Sequence, residues 1–151
     1  MNYLSPHFSL GELTITEHRT IDNRPTQEIE GRLAVLALEF LEPLRDKFGP
    51  LRVTSGYRCR DLNLAIGGAI DSAHMYGCAA DLQSMEGHTP TEMVQWVMLV
   101  SDLPFDQVID EGNSVASWLH IGMLRPGHEP GPRRQALRYC NGVYTPLPLE
   151  G

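Results

Sequence analysis

Residues Ser72–Gln83 read SAHMYGCAADLQ. His74 and Asp81 stand seven positions apart in it, with Gly77, Ala79 and Ala80 between them. Small residues there leave room for the chain to fold back, and AADLQ reads as a short strand opened by Asp81. Neither a hydrophobic core nor an ordinary turn asks for this pattern, which raises the question whether His74 and Asp81 are two ligands of one metal. Zinc accepts imidazole nitrogen and carboxylate oxygen, and a catalytic zinc site has three protein ligands and one open position. A third candidate is His120 in SWLHIGM (Ser117–Met123), where strand alternation turns Trp118 and His120 to one face. Each residue alone has a plainer reading: a strand histidine satisfied in the core or at the surface, or an aspartate capping a turn.

Working outward, the chain of 151 residues fits one domain, residues 1–151, with a core that needs no staples. Its net charge of −7 argues against a broad nucleic-acid surface. The one basic cluster, GPRRQALR (Gly131–Arg138), reads as a solvated edge. No apolar run is long enough to span a bilayer, and MNYLSPHFSLGEL lacks the features of a signal peptide. Synthesis and folding in the cytoplasm are therefore expected, with any exit by another route. The three cysteines, Cys59, Cys78 and Cys140, form no CxxC pair and read as free thiols.

Periodicity sets the elements. SLGE (Ser9–Glu12) has capping-box spacing and predicts a short helix. Ile29, Leu33, Leu36, Phe40 and Leu44 form one stripe of a helix over 26–48, which Pro43 bends or shortens and Gly49-Pro50 ends. LRVTS (Leu51–Ser55) alternates as a strand, a short helix covers 60–66, and TPTE (Thr89–Glu92) starts another helix. FDQVIDE (Phe105–Glu111) and SWLHIGM are strands, and LRYCNGVYT is a hairpin around Asn-Gly. Helices early and strands late predict an α+β domain with a small antiparallel sheet and helices on one side.

The order of these pieces resembles the zinc D-Ala-D-Ala carboxypeptidase family, which includes bacteriophage endolysins and peptidoglycan endopeptidases of the Hedgehog/DD-peptidase fold. The resemblance is carried by Ser-Gly-Tyr-Arg (Ser55–Arg58), Ser-x-His-x-x-Gly-x-Ala-x-Asp (Ser72–Asp81), FDQVIDE and Trp-x-His (Trp118–His120). LSPHFSLGEL and LEPLRDKFGP look like its phage-type branch. The resemblance implies Zn2+ on His74, Asp81 and His120. It implies that Arg58 holds or polarises a substrate carbonyl or carboxylate, a role suited to a guanidinium fork. Ser72 is expected to bond the substrate or orient His74, and Trp118 to wall the groove or sit in the core.

A zinc hydrolase also needs a carboxylate to move the proton of the attacking water. Several family members place it three residues before the last histidine, and here that position is Ser117. Glu111 is the preferred replacement and Asp110 its alternative, on opposite faces of one strand. Asp106 reads as structural, and His7, His18, His88 and His128 as surface residues. The implied function is hydrolysis of an amide bond in the peptide stem of peptidoglycan by a monomer, as a phage or prophage lysin released by a holin or carried in a virion. A cytoplasmic dipeptidase fits as well, and the rival class is a non-catalytic, zinc-stabilised phage structural or wall-binding module.

Overall fold

The computed structural model describes residues 2–147. Among them a six-stranded sheet runs in the order β3-β4-β6-β5-β7-β8. Its strands are β3 (Leu51–Ser55), β4 (Ala79–Ser84), β5 (Gln107–Gly112), β6 (Ser117–Gly122), β7 (Gln135–Cys140) and β8 (Val143–Pro146). A small ribbon of β1 (Tyr3–Ser5) and β2 (Phe8–Ser9) stands apart. The class is α+β, as expected. The sheet is not wholly antiparallel, because β7 lies parallel to β5. The segment between β6 and β7 crosses over the end of β5 rather than turning back beside β6, and the hairpin is added beyond it.

The helical stripe over 26–48 forms, but in three parts: α1 (Gln27–Leu36), a π turn over Ala37–Leu41, and α2 (Glu42–Phe48). Pro43 has no N–H to give, and the wide turn just before it takes up the break in the ladder. Thr26 caps α1 through Ile29 N–H. α3 covers Arg60–Ala65, and α4 (Pro90–Leu99) begins in the full capping box of Thr89 and Glu92. Near the start, Ser9 and Glu12 exchange hydrogen bonds ahead of a single 3₁₀ turn, Glu12–Thr14.

Alternation then divides the sheet. Leu51, Val53, Ala80, Leu82, Val108, Leu119 and Ile121 are buried in one core with Leu33, Leu36, Phe40 and Leu44 of the long helix and Met93, Val94 and Val97 of α4. The opposite face carries Asp81, Ile109, Glu111, His120, Leu137 and Tyr139, which line a groove of about 640 Å³. Helices cover one face and the polar groove occupies the other.

The basic run lies at the surface, with Arg133 and Arg138 exposed, yet its arginines are partnered. Arg133 grips the buried Asp106 with two guanidinium nitrogens and its own N–H, at 2.8–3.2 Å. Arg134 stacks 4.6 Å over the Phe105 ring and donates to the Leu103 carbonyl. Arg138 pairs with Asp110 at 3.5 Å. Together these clamp the crossover so that β7 enters beside β5. His128 and Arg125 reach Asp71 at 2.8 and 3.2 Å and pin the same segment to the loop before His74.

Candidate metal centre

β4 and β6 pair with Asp81 opposite His120, which brings two of the three candidates together on adjacent strands. His74 comes from a 3₁₀ turn, Ala73–Tyr76, capped by Ser72, whose hydroxyl oxygen accepts from His74 N–H at 3.2 Å. The loop after β3 holds that turn in place. Arg58 N–H donates to the His74 carbonyl at 3.1 Å, and His74 Nδ1 lies 2.7 Å from the Gly56 carbonyl. Ser-Gly-Tyr-Arg and Ser-x-His thus brace each other.

Gly56 has no side chain for a steric reason. A Cβ there would lie 2.3 Å from the Leu13 carbonyl oxygen, where Tyr57 N–H makes a 2.7 Å bond. Asn23, which periodicity does not single out, fastens the same loop. Its amide donates to the Thr14 and Tyr57 carbonyls and accepts from Cys59 N–H at 2.7 Å. Only a buried amide with three backbone partners betrays such a residue, and sequence carries no sign of it.

The three residues His74, Asp81 and His120 are 2%, 6% and 7% exposed. Asp81 Oδ1 lies 3.0 Å from His120 Nδ1 and 3.3 Å from His74 Nε2. Donors around a tetrahedral ion with bonds of about 2.05 Å stand about 3.3 Å apart, so these spacings fit one ion. A carbonyl can only accept, so His74 Nδ1 carries its proton and Nε2 keeps the free lone pair. His74 Nε2, beside Asp81, is buried without a hydrogen-bond partner. An orphaned imidazole nitrogen beside a carboxylate is costly unless something else satisfies it. Burial lowers the His74 pKa, which keeps the ring neutral and able to ligate. Burial raises Asp81, but the imidazoles, when protonated, outweigh it by charge and hydrogen bonding and hold the carboxyl below its ordinary range. His74, Asp81 and His120 form a cluster that could hold a metal ion.

Arg58 lies beside the cluster, 3.5 Å from Asp81 Oδ2, with its Nε on the Ser55 hydroxyl at 3.1 Å. Burial lowers its pKa from a very high ordinary value. Glu111 lines the groove, and burial, followed by the charge of Asp81, raises its pKa. Asp110 faces the helices and accepts from the Thr91 hydroxyl at 2.7 Å, outside the groove. Trp118, expected as a groove wall, instead donates its indole N–H to Glu111 at 3.0 Å and is not part of the lining. The regular register of β6 turns Ser117 away from the His120 face. In this strand no side chain at 117 could serve the centre, and Glu111, directly across from Trp118, occupies that side.

Cys78 is buried inside the motif with its pKa pushed up to about 11 by burial, so its thiol stays protonated. Sequence reading also passed over the far wall of the groove, Gln135, Leu137, Tyr139, Tyr144 and Pro146 on β7 and β8. Among the described residues no helix is long and apolar enough to cross a membrane. A search of curated proteins finds no match to the chain. The model of the family described as Peptidase M15 matches residues 6–121, more than half the sequence. With a buried His-Asp-His cluster that fits a metal-dependent peptidase, this chain belongs to the peptidase M15 family.

Proposed function

We propose that the protein is a zinc peptidase that hydrolyses an amide bond in the peptide stem of bacterial peptidoglycan. The observation that carries this reading is the convergence of His74 Nε2, Asp81 Oδ1 and His120 Nδ1 at the spacing of donors on one ion. Two imidazoles and a carboxylate suit zinc. When bound, such an ion polarises a carbonyl and makes water a stronger acid.

The chain's own groups do the rest. Glu111, with its raised pKa, accepts the proton of the attacking water and delivers it to the leaving amine. Trp118 holds the Glu111 carboxylate through one oxygen and leaves the other free. Arg58 lines the groove beside Asp81, where its guanidinium binds the carbonyl or carboxylate of the peptide. Ser72 keeps the His74 turn closed. The protein acts as a monomer, as a phage or prophage lysin reaching the wall after holin-type release or from a virion.

The test is zymography on purified peptidoglycan with wild type and Glu111→Gln, each with its zinc content measured. Wild type clears the gel, and the variant loses about 10²–10⁴ in rate while keeping its metal. Mass spectrometry of the released fragments then names the bond. If neither protein clears peptidoglycan while both hold zinc, the chain is a binding module instead.

A further inference from the structure

The family match ends at residue 121, yet the groove does not. β7 and β8, joined by Asn141-Gly142 with φ of 50° and 85°, extend the sheet on the groove side. Register places Tyr139 beside Glu111 and Tyr144 beside Tyr139. The two rings stand 4.5 Å apart, tilted by 53°. Leu137 and Pro146 pair in the same way and share the lining with Gln135. Charged side chains of the hairpin face elsewhere: Arg138 meets Asp110 on the helix side. The hairpin therefore gives the groove an uncharged, partly aromatic wall, whereas the metal end carries the Arg58 cation.

Tyr144 is 57% exposed although it belongs to a strand. A large ring held at that position by a partner ring, with one side open to the groove, has the form of a contact surface rather than a packing element.

We propose that Tyr144, held against the Tyr139 ring, forms an outer subsite that holds an uncharged stretch of peptide three to four residues from the scissile bond, so that the protein selects long peptides over dipeptides. The proposal rests on the peptidase reading above. Three strand steps separate His120 on β6 from Tyr144 on β8, about 14 Å at the usual spacing. An extended peptide covers that distance in about four residues. A dipeptide seated at the metal centre reaches Tyr139, one strand step from Glu111, and stops short of Tyr144. The substrate class is an extended peptide whose segment across the hairpin carries small or flat uncharged groups, and the activity is that of an endopeptidase.

The experiment measures kcat and KM for a nested set of wall-type stem peptides, two to six residues long and lengthened on either side of the scissile bond. Wild type, Tyr144→Ala and Tyr144→Phe are compared as zinc-loaded proteins. In wild type, kcat/KM rises once three or four residues lie on one side. Tyr144→Ala loses about threefold to tenfold on the long peptides, mostly in KM, and leaves the shortest substrates unchanged, while Tyr144→Phe retains the gain. Equal loss on short and long peptides, or no dependence on length in wild type, overturns the subsite. If wild type cleaves none of them, the peptidase reading fails separately. Calorimetric binding then decides the subsite: long peptides must bind more tightly than short ones, and Tyr144→Ala must abolish the difference.

Discussion

At one end of the groove, His74, Asp81 and His120 are almost wholly buried, and each is fixed by neighbours on another element. At the other end every residue of β8 is exposed, and the tyrosine pair is held by little more than its own register. The first region has little freedom to change, because the Gly56 carbonyl aims His74 while strand register sets Asp81 opposite His120. The second hangs on a turn and one strand pairing and can vary without disturbing the core. Chemistry is built where the fold is most constrained, and selectivity where it is least so.

The largest effect is expected at the constrained end. His120→Ala removes one of three ligands and exposes the others to water. Bound zinc is expected to fall from about one ion per chain to less than about a tenth, and hydrolysis to vanish with it. Metal analysis of dialysed protein, with circular dichroism to confirm the fold, measures this. Stoichiometric zinc in the variant would mean that the ligand set is wrong and the contrast between the two ends misplaced.

The next effect probes what lies behind a ligand. Gly56 touches no substrate, yet its carbonyl orients His74 and its Cα lies against the Leu13 backbone. Gly56→Ala forces that loop to move, at a cost of about 1–3 kcal/mol in stability. The displaced carbonyl also releases the His74 ring, and zinc affinity is expected to weaken by about 10- to 100-fold. Thermal melts and competition with a chelator read the two consequences separately. A variant that loses stability but keeps its affinity would show that the Gly56 carbonyl does not aim the ring.

Sequence exposed the two ends unequally, for the same reason that they respond differently to substitution. The three candidate ligands were legible because the ordered motifs around them resemble a known family; residue types and the small residues between His74 and Asp81 were suggestive and left the plainer readings open. The long helix was legible from its stripe, with Pro43 marking the irregular turn. Strand alternation allowed only one of Glu111 and Asp110 to face the centre, the resemblance favoured Glu111, and the structure places only Glu111 in the groove. The hairpin itself was visible in Asn-Gly. Its position was not, because a parallel pairing across a crossover rich in proline and glycine leaves no periodic trace. Arg133 and Arg134 looked like ordinary surface charge, since their partners Asp106 and Phe105 lie far off in sequence. The tyrosines gain meaning only when register sets them beside Glu111.

The smallest effect lies between the two ends, at Trp118. Its indole N–H bonds Glu111, and a hydrogen bond to a carboxylate favours the charged form. Burial raises the Glu111 pKa and Trp118 partly offsets that rise. Trp118→Phe keeps the ring and removes the donor, so the Glu111 pKa moves further up. A general base works only when deprotonated, so the acid limb of the kcat/KM profile shifts to higher pH and the variant loses rate on the acid side. Above that limb Glu111 is ionised in both proteins and their rates converge. Stability runs the other way: a carboxyl with a raised folded-state pKa costs stability as pH climbs from its ordinary value through the raised one, and in the variant that cost extends to higher pH. A uniform loss at every pH would instead mean that Trp118 acts by packing, and a profile unchanged from wild type would remove Glu111 from the role of base.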